Sequence, residues 1–236
     1  MITPYEKAFF LEHGYLHVSG VLTPDHLAQV QAEFDRVWEL PGQNNQTKLL
    51  QHQTFLELIE HPAILDRHRA LFGAQTQLLQ YDLLRQGPRN ETFPTRAWHR
   101  DFVFPGDRPL SVNTIVYLDE MIEERGPTYV APGTHRGEAL PPAEMIHEPL
   151  PGEIAVLAQA GDVVFINSAI WHSGARNRSD GQRRGIYLYY GYWWLKRYES
   201  NAALPWRALE GASDQRLELL GVKTPAGDIH QYDPLA

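Results

Sequence analysis

Gly161-Asp162-Val163-Val164-Phe165-Ile166, then Ala169-Ile170-Trp171-His172-Ser173, then Arg184-Gly185-Ile186-Tyr187-Leu188-Tyr189-Tyr190-Gly191-Tyr192: these three runs decide the fold. Each is strand-sized and rich in β-branched and aromatic residues, and each is bounded by turn formers such as Ser179-Asp180-Gly181. The polar turn Asn177–Gln182 makes the second and third runs antiparallel neighbours on this reading. Upstream, further strands are expected over Thr76–Gln86, Ala97–Phe102, Val112–Asp119, Thr128–Ala131 and Glu153–Ala158, with Arg125-Gly126-Pro127 and Pro132-Gly133 between them. Many short strands without alternating helices disfavour a parallel sheet and point to a mainly β double-sheet barrel of the jelly-roll kind.

The first third has a different period. Thr23-Pro24 is a capping hydroxyl followed by proline at the first helical position, and Leu27, Val30, Phe34, Val37 and Trp38 recur at helical spacing until Pro41-Gly42. A shorter helix is expected over Pro4–His13, closed by Gly14, and another over Phe55–Phe72, interrupted at His61-Pro62. The 236 residues then divide, within one domain, into a helical part (1–75), a barrel core (76–195) and a C-terminal extension (196–236). The N-terminal helices pack on one outer face of the barrel.

Composition narrows the function. Hydrophobic residues make up 43% and charged residues 21%, which is a globular balance. The chain has no cysteine, which excludes disulfides, thiolate metal sites, iron–sulfur clusters and a cysteine nucleophile. A net charge of −8 argues against nucleic-acid binding, although Arg176, Arg178, Arg183 and Arg184 form a local basic cluster. No apolar run is long enough for a membrane span, and Met1–Phe10 lacks an apolar signal core, so a cytoplasmic location is expected.

The chemistry gathers at Trp98-His99-Arg100-Asp101. On a strand, His99 and Asp101 project to one face and Arg100 to the other. An imidazole and a carboxylate so placed need one more histidine to complete the two-histidine, one-carboxylate face that suits Fe(II) oxygenases and leaves positions open for substrate and dioxygen. His-x-Asp alone is a weak signal that arises by chance. Of the eleven histidines, 13, 17, 26, 61 and 68 fall in the helical third and read as solvated or capping, His52 lies in a polar stretch and His230 in the tail. His135, His147 and His172 remain. His172 follows an apolar strand; His135 sits in a turn and reads as exposed, and His147 lies in a Pro/Glu-rich loop. A core histidine bonded to a carbonyl is the competing account of His172. Arg183 shares strand parity with Gly185, Tyr187 and Tyr189, opposite Arg184, Ile186, Leu188 and Tyr190. An arginine facing a barrel mouth suits a dicarboxylate co-substrate, and the competing account is a solvated turn residue.

In this order, Trp98-His99-Arg100-Asp101, Val116-Tyr117-Leu118-Asp119, Gly126-Pro127-Thr128-Tyr129-Val130-Ala131-Pro132-Gly133-Thr134-His135, Gly161-Asp162-Val163-Val164-Phe165 and His172 through Arg183 resemble the phytanoyl-CoA dioxygenase family, which includes ectoine hydroxylases. Phe10–Leu16 and Leu22-Thr23-Pro24 resemble its usual start, so the likeness covers most of residues 5–192. It implies a double-stranded β-helix and Fe(II) held by His99, Asp101 and His172. It also implies a 2-oxoglutarate co-substrate anchored by Arg183 with help from Asn113 and Gln80. The implied reaction consumes O2, releases succinate and CO2, and hydroxylates a small organic molecule, with no side chain as acid or base. The presence of Asp101 favours hydroxylation over halogenation. A cupin-like metal-dependent isomerase or hydrolase and a non-catalytic binding protein are the alternatives. Phe102, Phe104 and Tyr187 are candidate substrate-pocket walls, or core.

Overall fold

The structure is a computed structural model that describes residues 2–41, 49–197 and 204–224. The expected helix stop at Gly42, the histidine at 230 and much of the C-terminal extension lie outside the described residues.

Helix α1 (Pro4–His13) starts at a capping box, in which Thr3 Oγ1 accepts from the Glu6 amide and Glu6 returns a bond to the Thr3 amide. It ends at Gly14, whose φ of +82° needs glycine. Helix α2 spans Pro24–Trp38. The expected break at His61-Pro62 divides α3 (Gln53–Ile59) from α4 (Pro62–Phe72), because proline supplies no amide to continue the first helix.

The strands are β1 (Tyr15–Val18), β2 (Thr76–Gln86), β3 (Ser111–Tyr117), β4 (Thr128–Ala131), β5 (Ile154–Val156), β6 (Val163–Asn167), β7 (Trp171–Ser173) and β8 (Arg183–Tyr192). They form a five-stranded sheet in the order β1-β6-β3-β8-β2 and a three-stranded sheet in the order β5-β4-β7, all antiparallel. Two short helices, α5 (Trp206–Leu209) and α6 (Asp214–Leu219), follow.

Three expectations are corrected here. The helical third contains a strand, β1, whose four residues pair with β6; four residues are too few to show a period beside a helix. Residues 97–102 form no strand, and only an isolated bridge joins His99 to His172. Strands β7 and β8 are not neighbours: β7 pairs with β4 in the small sheet, and β8 lies between β3 and β2 in the large one. The Asn177–Gln182 segment therefore crosses between sheets, held by Asn177, whose side-chain amide donates to the carbonyls of Gly87 and Gly181.

The large sheet has a core on each side, as the wholly buried β3 requires. On the outer side Val112, Val116, Ile186, Leu188 and Tyr190 pack with Phe34, Phe55, Ile59 and Ile64 of the helices. On the inner side Ile115, Tyr117, Val164 and Ile166 meet Val130, Val156 and Ile170 of the small sheet and its flank. Parity along β8 thus sends Ile186, Leu188 and Tyr190 to the helices and Arg183, Tyr187 and Tyr189 inward. Strand β2 would not follow by parity alone, because Leu78 packs outward in the helix core while Gln80 lines the interior. A bulge between Leu78 and Gln80 shifts the register and resets the alternation.

Candidate metal centre

The bridge between His99 and His172 is reciprocal: each amide donates to the other's carbonyl, at 3.0 and 2.9 Å. Residues so paired stand opposite one another, and the two imidazole rings lie 4.2 Å apart between centroids. Asp101 is brought alongside by its own amide, which donates to Ser168 O at 2.8 Å. Its Oδ1 is 3.8 Å from His99 Nε2 and 3.6 Å from His172 Nε2. The three ligand atoms all lie within 4.8 Å of one another, a grouping that could hold one divalent ion. They are the group of metal-binding type found among the described residues.

Each ring is oriented by its other nitrogen. His99 Nδ1 donates to Ala97 O at 2.8 Å and His172 Nδ1 to Ile170 O at 3.0 Å, which leaves both Nε2 lone pairs turned to Asp101. Burial lowers the His172 pKa, with the neighbouring Asp101 opposing, so the imidazole is neutral as a ligand must be. Arg100 points away into packed loops, as expected. Its buried guanidinium donates to Ala169 O (2.7 Å), Thr134 O (3.0 Å) and Gly137 O (2.8 Å), which lashes the segment carrying His99 and Asp101 to the one carrying His172.

The cluster opens into a cavity of about 360 Å³, within the usual range for small-molecule sites. Arg183, Asn113, Gln80 and Tyr187 line it together with His99 and His172. Arg183 is buried, with Nη2 3.4 Å from the Tyr187 hydroxyl. Three buried polar atoms here lack a partner: Asp101 Oδ2, Asn113 Oδ1 and Arg183 Nε. Buried groups of this kind are bonded as a rule, and three together mark a place built for a polar guest. Burial, with the Asp101 charge adding, pushes the Tyr189 phenol up, and burial pushes Tyr117 up to about 12; both are hydroxyl donors at neutral pH.

Other expected residues fall elsewhere. Phe102 and Phe104 are 37% and 52% exposed and do not line the cavity. His135 is not exposed but fully buried, with Nε2 donating to Leu11 O, because α1 folds back over its turn; a Cβ at Gly14 would meet His135 Nδ1. His68 is likewise buried, not solvated, and bonds Thr114 through Nε2. His17 lies on β1 and bonds Asp162 at 2.8 Å. The basic cluster disperses: Arg184 pairs with Asp119 and Asp35, Arg176 donates to Phe93 O, and Arg183 faces inward. Asp82, Leu84, Phe93 and Thr128 also line the cavity and were not singled out. Asp82 shares strand parity with Gln80 and was findable; Phe93 lies in a loop without period.

The family model of phytanoyl-CoA dioxygenase matches residues 10–185. The dioxygenase andF of Emericella variicolor is 30% identical, with 94% of this chain and 86% of that one covered. Among solved structures, HygX from Streptomyces hygroscopicus, with nickel and 2-oxoglutarate bound, has a TM-score of 0.70 at 18% identity, over 86% of this chain and 95% of that one. The non-heme alpha ketoglutarate dependent epimerase SnoN from nogalamycin biosynthesis has a TM-score of 0.64 at 26% identity, over 80% and 82%.

Proposed function

The chain belongs to the phytanoyl-CoA dioxygenase family, and from that premise we propose that it is an Fe(II)- and 2-oxoglutarate-dependent oxygenase that hydroxylates a small organic molecule. One observation carries the reading: two histidines and a carboxylate converge at a cavity that also holds a buried arginine, with unpartnered polar atoms at both ends. A cupin-like isomerase or hydrolase that does not consume 2-oxoglutarate has no use for a dicarboxylate clamp such as Arg183, and the three converging ligands together with that arginine weigh against a non-catalytic binding protein.

His99 Nε2, Asp101 and His172 Nε2 would hold Fe(II), and Arg183 would take the distal carboxylate of 2-oxoglutarate, with Asn113 and Gln80 beside it. Fe(II) and 2-oxoglutarate together supply dioxygen activation, with oxidative decarboxylation to succinate and CO2 and one oxygen atom delivered to the substrate. The guanidinium presents a fork that matches a carboxylate, and burial strengthens that pairing. The Tyr187 hydroxyl beside Arg183 limits where the fork can swing. Ile115, Leu84, Phe93 and the Tyr187 ring give the cavity apolar walls beside its polar groups. With a metal bound, Asp101 would be a ligand in place of the halide that halogenation needs, which favours hydroxylation over halogenation.

Anaerobic titration of the metal-free protein with Fe(II) and then 2-oxoglutarate tests the assignment. A visible charge-transfer band is expected for the wild type and not for His172→Ala. Iron binding without a band on adding 2-oxoglutarate would remove the role of Arg183 and return the isomerase and binding-protein readings to the front.

A further inference from the structure

Two side chains of β8 meet although their backbones stand well apart. Arg183 and Tyr187 lie four residues from one another on the inner face, and an antiparallel strand rises about 3.4 Å per residue, so about 14 Å separates their Cα atoms. Yet Arg183 Nη2 is 3.4 Å from the Tyr187 hydroxyl. Both side chains therefore lean along the strand, toward the residue between them, Gly185. A Cβ at Gly185 would stand 3.2 Å from Tyr187 Cε2, tighter than ordinary van der Waals contact. Gly185 has no positive φ to account for it, and glycine inside a strand often marks the close approach of another group. Here that group is the Tyr187 ring, which also packs against the core cluster containing Ile115 and Tyr117.

What the two tips offer follows from their chemistry. A guanidinium carries donors only, so the Tyr187 hydroxyl can only accept from it. The hydroxyl hydrogen is left to donate, and no acceptor for it is found among the described residues. No carboxylate pairs with Arg183 among the described residues either; the ionisable groups that act on it are the phenols of Tyr187 and Tyr117. The Tyr117 hydroxyl is committed, since it donates to Thr128 Oγ1 at 2.7 Å. Arg183 and Tyr187 both line the cavity. Over Gly185 a guanidinium and an O–H donor thus stand side by side at the cavity, with nothing negative beside them. Two neighbouring donors, one of them charged, suit an anion with two acceptor oxygens, which is what a carboxylate presents.

We propose that Tyr187 is the second arm of the co-substrate clamp: its hydroxyl donates to one oxygen of the distal carboxylate of 2-oxoglutarate while Arg183 pairs with the charge, and Gly185 is small so that the ring can lie there. This rests on the oxygenase reading above. It moves Tyr187 from the wall of the substrate pocket to the co-substrate's site. It also makes Tyr187 a determinant of which 2-oxo acid is accepted, because the pair fixes where along β8 the distal carboxylate sits. An acid that lacks this carboxylate gains nothing from the hydroxyl.

The test is anaerobic titration of the Fe(II)-loaded protein with two acids, read by the charge-transfer band. 2-Oxoglutarate carries the distal carboxylate, and 2-oxopentanoate is the same chain without it. Tyr187→Phe keeps the ring and removes the hydroxyl. It should weaken 2-oxoglutarate about tenfold or more, the scale of one hydrogen bond to a charged group. Binding of 2-oxopentanoate should stay within about twofold of wild type, and so should iron affinity measured without either acid. Gly185→Ala, in which the ring must shift, should lower the preference for 2-oxoglutarate when Tyr187 is present and not lower it further in Tyr187→Phe. A preference unchanged by Tyr187→Phe would overturn the proposal, and so would equal weakening of both acids, which would make the tyrosine a packing residue. Should 2-oxopentanoate bind too weakly to titrate, the loss for 2-oxoglutarate at unchanged iron affinity decides, and its absence overturns the proposal. A wild-type protein that shows no band with 2-oxoglutarate would instead remove the oxygenase reading itself.

Discussion

Arg183 shows how much one side chain carries. It is buried, its nearest recorded partner is a hydroxyl at 3.4 Å, and its Nε has none. A buried guanidinium held this loosely costs stability unless a ligand completes it. Arg183→Met keeps the length and removes the charge. Under the proposed function it should weaken 2-oxoglutarate by about 2–5 kcal/mol, the range for truncating one member of a buried charged pair. Iron affinity should change little, because Arg183 is not one of the three ligands. Arg183→Lys should fall between, since it restores charge but not the fork. Titration of the charge-transfer band with 2-oxoglutarate measures all three proteins; equal dissociation constants for wild type and Arg183→Met would remove the clamp.

Among elements, the informative one is the segment 97–102, which is neither strand nor helix. One backbone bridge to His172, two amide bonds to Ser168 O and the Arg100 side chain hold it. A strand would have fixed the spacing of His99 and Asp101 through a full ladder; here Arg100 does part of that work from the side. Arg100→Met should therefore loosen the segments bearing His99, Asp101 and His172 relative to one another. The expected loss of metal affinity is about 10- to 100-fold, as for other groups that orient metal ligands. Competition with a chelator of known affinity gives the number. A variant that loses thermal stability but keeps full metal affinity would make Arg100 a packing residue only.

At the level of the whole molecule, acid stability depends on histidines buried in the cores. His68 lies between the helices and the large sheet, stacked on Tyr190 with ring centroids 4.1 Å apart, and burial pushes its pKa down to about 3. An unfolded histidine titrates near about 6.5. Between those values the unfolded chain holds a proton that the folded one does not, so stability rises with pH there. The contribution is complete above the unfolded value and is lost as pH falls toward the folded one, by up to about 1.4 kcal/mol per pH unit. His68→Gln, which can still bond Thr114, should make the fall in melting temperature between pH 7 and pH 4 shallower. The slope will not vanish, since burial also lowers the pKa values of His135 and His61. Parallel curves for variant and wild type would show that His68 does not titrate on unfolding in this window.

The sequence alone determined what depends on local chemistry and on period. The Thr23 cap, the Gly14 stop and the break at His61-Pro62 set helix bounds that reappear in the structure, because caps and prolines act on their own backbone. Strand parity put Arg183, Tyr187 and Tyr189 on one face of β8, since alternation holds within any regular strand. Tertiary structure decided whatever depends on a distant segment. Four residues of β1 are a strand because β6 offers an edge, and His135 is buried because α1 folds over its turn. The sheets exchange partners between β7 and β8, although a polar turn joins two strands there in sequence. The bulge at Leu78 and Gln80 is the sharpest case. One extra residue in β2 turns Gln80 and Asp82 into the cavity while Leu78 packs outward, and no count along the chain reveals it, because register is fixed by the neighbouring strand.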